Sequence, residues 1–147
     1  MQENSSPPEG LGEFLQDAQG LLDRLHECHS HLEMIGNDPD AARGLCHALE
    51  TLAARAKGFG IAELADFSQQ LLALLNCARS RNQLRDTPLK PLSACLTHLA
   101  WQLELIDPLT GQLNLDCAEQ TDLVEALAGT LEKDPAQTDL APLASSR

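Results

Sequence analysis

Apolar residues recur along this chain at alternating intervals of three and four, the spacing that gathers side chains on one face of an α-helix. Leu11, Leu15, Ala18, Leu22, Leu25, His29 and Leu32 trace one such stripe and predict a first helix over residues 11–35. The stretch "GNDPDA" then interrupts the pattern. Gly36 suits a C-terminal cap, Asp38 an N-cap and Pro39 the first position of the next helix. Ala42, Leu45, Leu49, Leu52 and Ala56 predict a second helix over 39–57, broken by Gly58 and Gly60. Ile61, Leu64, Phe67, Leu71, Leu75 and Ala78 predict a third over 61–80. After the basic connector "RSRNQLRDT", Thr87 caps and Pro88 opens a fourth helix, which Pro108 stops. Its stripe is Leu92, Leu96, Leu99, Leu103 and Ile106. The loop "LTGQLNLD" leads to a shorter fifth helix over 117–132.

Four helices of this length, each about 30 Å long at 1.5 Å per residue, bury single apolar stripes best as an antiparallel four-helix bundle. The fifth, C-terminal helix is expected to pack on it as an addition. Only "GFG" joins the second helix to the third, which makes them a tight hairpin. The domain then covers residues 11–133, between a leader (1–10) and a tail (134–147) that are both polar and expected to be disordered. Composition agrees with an all-α fold. Val occurs once and Tyr is absent from the 147 residues, and strands draw on β-branched and aromatic residues.

Charge narrows the functional classes. The net charge is −12, but it is unevenly spread. Residues 1–40 hold nine acids and one base, residues 41–91 four acids and seven bases, and residues 92–147 nine acids and two bases. An acidic chain with 3% aromatic residues lacks the basic patches and stacking platforms that nucleic acid requires. The basic middle is either a solvated face or a docking surface for an acidic partner. No apolar run approaches the ~18 residues that span a membrane, and the leader lacks the apolar core of a signal peptide. Five scattered cysteines without a CxxC pair suit free, mostly buried thiols in a reducing cytoplasm.

Motifs for chemistry are sparse. "HECHSH" at 26–31 offers His26, Cys28, His29 and His31, but zinc needs about four convergent ligands and no second cluster exists. Packing is the expected role of Cys28 and His29, and neither a metal nor a cofactor is expected. Ser30, Ser68, Ser80 and Ser93 have no elbow turn and no partnering His–Asp pair. "KGFG" is too short for a phosphate-binding loop. Glu63 and Asp66 pair on what should be a wet face. The second helix stands apart. With its apolar stripe buried, Arg43, His47, Glu50, Ala54 and Lys57 fall on the opposite, exposed face.

The corner "GLCHALETLAARAKGFG", followed by "IAEL", resembles the histidine-containing phosphotransfer (HPt) family, in its chemotaxis-kinase (CheA-like) subgroup. That family carries a motif of the form H-S-x-K-G-x-x-G-x-[FI]-G on its second helix. Phe59–Gly60 and then Leu64 match the motif's end. Counting back ten residues places Glu50 where the family carries its phosphorylated histidine. Ala53 and Ala54 take the places of the motif lysine and the next glycine, and Lys57 that of a later glycine. Leu72 takes the place of a glutamate that hydrogen-bonds the phosphohistidine. The likeness covers about residues 11–132.

The resemblance implies a bundle that docks a response-regulator receiver domain or a histidine kinase, with Arg43, His47, Glu50, Ala54 and Lys57 as the contact face. It does not imply an enzyme, because Glu50 cannot do a neutral imidazole's work. A carboxylate repels the incoming phosphoryl group unless an acidic pocket and Mg²⁺ compensate. Glu50 is either a fixed charge imitating phosphohistidine or what remains once phosphorylation was lost. Two other functions stay open: a working relay through His47, and a scaffold unrelated to phosphotransfer. Oligomeric state is not legible.

Overall fold

The computed structural model of the protein describes residues 9–113 and 117–131. The described residues form five helices and no strand: α1 (Leu11–Met34), α2 (Pro39–Gly58), α3 (Ala62–Ser80), α4 (Leu89–Leu105) and α5 (Cys117–Leu131). None is long and apolar enough to cross a membrane. The expected leader and tail lie outside the described residues, apart from Glu9 and Gly10.

Capping chemistry sets the ends of α2. Asp38 is its N-cap and accepts from the Asp40 N–H at 3.1 Å, with Pro39 in the first turn. Other caps differ from expectation. α1 ends on Ile35, and the left-handed residue of the turn is Asn37 (φ 59°), not Gly36. Asparagine tolerates that conformation because its short side chain bonds locally. Gly36 is needed for space instead, since a Cβ there would fall 2.8 Å from the Arg85 Cβ. The Asn37 N–H donates to the Leu84 carbonyl at 2.9 Å, so the α1–α2 turn is tied to the α3–α4 connector. Thr87 does not cap α4. Pro88 holds the N-cap position and its carbonyl accepts from Leu92 N–H.

Side-chain hydrogen bonds tie the late part of one helix to the early part of another. Arg55, late in α2, bonds Asp17, early in α1. His29, late in α1, bonds the Leu89 carbonyl at the start of α4. Gln102, late in α4, bonds Gln120, early in α5. α2 packs on α1 and α3, and α1 also packs on α4. α3 and α4 barely touch directly, because α5 packs against both. The fifth helix is therefore a wall of the bundle rather than an addition to its outside. Leu127 and Leu131 are buried there, which the loop before α5 gave no means of predicting.

The core follows the predicted stripes, with one exchange: Phe14 is fully buried and Leu15 only half-buried. Each buried Leu or Phe contributes about 1.5–3 kcal/mol through burial, so the stripes dominate the stability of the bundle. Phe14 stacks on Phe59 with ring centroids 5.0 Å apart, which fixes the α2–α3 corner over the start of α1. α2 approaches α1 closely at Gly44, where a Cβ would meet Cys28 Sγ at 2.9 Å.

Candidate functional site

Half of α2 is interior. Ten of its residues are buried: Ala41, Ala42, Gly44, Leu45, Cys46, Ala48, Leu49, Leu52, Ala53 and Ala56. Arg43, His47, Glu50, Ala54 and Lys57 are all exposed. Their spacing of four, three, four and three makes one continuous line along the helix. The five residues expected to share a face do share one, and it is bordered on both sides by packed helices.

α3 supplies the other wall. A cleft of about 200 Å³ is lined by Arg43, Cys46, His47 and Glu50 from α2 and by Leu72, Asn76 and Arg79 from α3. Leu72 thus lines the same cleft as Glu50 and His47. Positions 72, 76 and 79 are a helical i, i+4, i+7 series, so the wall formed with Asn76 and Arg79 was legible in principle.

A second cleft of about 200 Å³ adjoins the first toward the start of α2. Asn37, Pro39, Ala42, Arg43, Arg79, Asn82 and Leu84 line it, so Arg43 and Arg79 belong to both clefts. Arg43 also reaches Asp40 at 3.2 Å, an exposed pair one helical turn apart. Cys46 is buried with its thiol pushed above its ordinary value, first by desolvation; a hydrogen bond from Arg79 opposes that shift. A thiol held protonated at neutral pH is not a nucleophile, so Cys46 is packed into the cleft wall rather than poised to react.

Ala53, which the resemblance sets at the place of a lysine, is 1% exposed. A lysine there would have to thread its stem past the packed interface to reach water.

The other candidate ligands and nucleophiles disperse. His29 is buried and its Nε2 lies 2.8 Å from the Leu89 carbonyl, so it ties α1 to α4. Cys28 is half-buried against Gly44, while His26 and His31 face solvent. Among the described residues no group of three His, Cys, Asp or Glu side chains could hold a metal ion. Ser68 is fully buried, and Ser80 donates to the Cys77 carbonyl one turn back. Cys46 and Cys95 are buried, but Cys77 is exposed, so the thiols are less uniformly interior than expected.

No protein-family model, no curated protein and no solved structure matches this chain.

Proposed function

We propose that this chain is a non-phosphorylatable HPt-like docking protein of a two-component or chemotaxis-like system, acting by binding. In this reading α1 to α4 correspond to the antiparallel four-helix arrangement of the HPt family, with α5 filling the gap between α3 and α4. The partner is a receiver domain, or a histidine kinase, seated on the exposed line of α2. The observation that carries the reading is that line itself: Arg43, His47, Glu50, Ala54 and Lys57 form one continuous exposed strip on a helix half of whose residues are buried. Leu72 completes the cleft beside it. Ala54 leaves room for a partner's backbone to approach. Glu50 places a fixed negative charge where the family carries a phosphoryl group, and Leu72 offers no hydrogen bond to one.

The test is a binding titration of the whole protein against receiver domains encoded with it, run beside Ala54→Arg. Ala54 is exposed on a helix, and Arg is a good helix former, so the variant folds. Saturable binding to one receiver, weakened at least about 100-fold by Ala54→Arg, supports the proposal. Binding that Ala54→Arg leaves intact sinks it. A radiolabelled phosphoryl group retained on the protein and lost in His47→Ala would instead support a relay through His47.

One observation favours a scaffold acting through a different face. Trp101 and Leu105, one turn apart on α4, and Leu109 just beyond are 55%, 51% and 57% exposed. A partner or second copy lost in Trp101→Ser but kept in Ala54→Arg would select that reading.

A further inference from the structure

We propose that the cleft at the start of α2 is a phosphate site, which takes inorganic phosphate or a phosphate monoester between the guanidinium groups of Arg43 and Arg79. The site stands independently of the docking role proposed for α2, although Arg43 belongs to both.

Charge singles this cleft out. The chain carries 22 acids against 10 lysines and arginines, yet the cleft is lined by two arginines and no carboxylate. Among the described residues Arg79 has no carboxylate partner. Arg43 has Asp40 at 3.2 Å, an exposed pair of the kind that is worth little. The adjoining cleft holds the same two arginines but also Glu50, whose carboxylate repels an anion. The ligand therefore belongs on the side nearer the start of α2. Pro39 and Ala42 bring the positive end of that helix to the same wall. The carbonyls that end α3 are already engaged: those of Cys77, Ala78 and Arg79 accept from Ser80 Oγ, Gln83 N–H and Asn82 N–H.

Geometry selects phosphate over other anions. Arg43 comes from α2 and Arg79 from α3, and both line the two adjoining clefts, so they stand where the clefts meet. A hydrogen bond from Arg79 to Cys46 holds that side chain across the seam. One planar carboxylate is satisfied by one arginine fork. A tetrahedral phosphate has oxygens for two forks that approach from different sides. Asn82 adds a neutral amide donor at the same place. The cleft measures about 200 Å³, which holds such an ion with several waters, each taking about 30 Å³. Both arginines remain exposed, so water screens the contacts and the Kd should be on the order of a millimolar.

The experiment titrates the ¹⁵N-labelled full chain with inorganic phosphate and, separately, with glycerol phosphate, beside acetate and chloride at matched ionic strength. The expected result is a saturable set of amide shifts at Asn37, Arg43, Arg79 and Asn82 that acetate and chloride do not produce. Arg43→Gln and Arg79→Gln should each weaken phosphate binding at least about tenfold. Both side chains are exposed, so neither substitution opens the core. Arg79→Lys keeps the charge but loses the fork, and it should still weaken binding about threefold or more. Full affinity in Arg79→Lys would mean diffuse attraction to positive charge and would overturn the site. Shifts that acetate or chloride reproduces would overturn it too, as would phosphate affinity that both Gln variants retain. Tighter binding of glycerol phosphate would assign the site to a phosphorylated small molecule, and tighter binding of inorganic phosphate to the free ion; either supports the proposal. No receiver domain enters these titrations, so failure of the docking proposal and failure of the phosphate site are read separately.

Discussion

Arg55 donates to the Asp17 carboxylate at 2.7 Å while its guanidinium carbon lies 5.6 Å from the centroid of the Phe14 ring. One side chain at the end of α2 therefore grips the first turns of α1 by charge and by the ring face together. The two contacts differ in worth. Both charged partners keep substantial exposure, 36% for Arg55 and 51% for Asp17, so Asp17→Asn should cost only about 0.5–1 kcal/mol. Phe14 is fully buried, so Phe14→Ala should cost about 3–5 kcal/mol. Urea unfolding of both variants checks the ranking. Equal losses would mean that the ion pair, not the ring, closes this end of the bundle.

His29→Ala should destabilise by about 2–4 kcal/mol. It removes a buried ring together with that ring's 2.8 Å hydrogen bond to the Leu89 carbonyl. His29→Gln can present an N–H to the same carbonyl and should recover part of the loss. Denaturation midpoints of the two variants decide the point. If Gln is no better than Ala, volume matters at this position and the hydrogen bond does not.

Gly44→Val should destabilise by about 2 kcal/mol or more, because even a Cβ would sit 2.9 Å from Cys28 Sγ. Pairing it with Cys28→Ala removes the obstructing sulfur and should recover much of the loss. A double-mutant cycle reads the coupling directly; simple additivity would locate the strain elsewhere.

Burial pushes the Cys95 thiol up to about 12, and desolvation also raises Cys46 and Cys28. A raised folded-state value means that the unfolded chain gives up its proton first. Between the ordinary thiol range, about 8.5, and the folded value, the unfolded state binds fewer protons, so stability falls as pH rises. Below that window the full contribution is present. The expected outcome is an alkaline loss of stability that is shallower in Cys95→Ala. Unfolding free energies measured at several alkaline pH values test it, and identical slopes would exclude Cys95 as the source. Exposed Cys77 should react with a thiol reagent well before Cys95 does.

Gln102 and Gln120 pair inside the α4–α5 interface at 2.7 Å, and Gln102 Oε1 has no partner among the described residues. A half-satisfied buried polar pair is less stable than an apolar one. Gln102→Leu with Gln120→Leu should therefore raise the thermal midpoint, while Gln102→Leu alone leaves Gln120 unpaired and should lower it. A single variant as stable as the double would show that Gln120 finds solvent or another partner.

The sequence by itself determined the helices and the line of exposed residues on α2. Both depend on local periodicity, and a helix has only one period with which to sort apolar from polar side chains. Arg43, His47, Glu50, Ala54 and Lys57 were placed correctly because burying Leu45, Leu49 and Leu52 leaves them no other side. Caps were less legible. Gly36 and Thr87 are plausible terminators in isolation, but the tie from Asn37 to Leu84 and the turn at Asp86 (φ 53°) moved the ends by a residue or two. Only the tertiary structure decided that α5 separates α3 from α4, that Phe14 rather than Leu15 points inward, and that Arg79 joins Arg43 across the α2–α3 seam. Those outcomes depend on which helices become neighbours and at what rotation. That choice is made by the summed packing of residues far apart in the chain, and periodicity along a single helix carries no record of it.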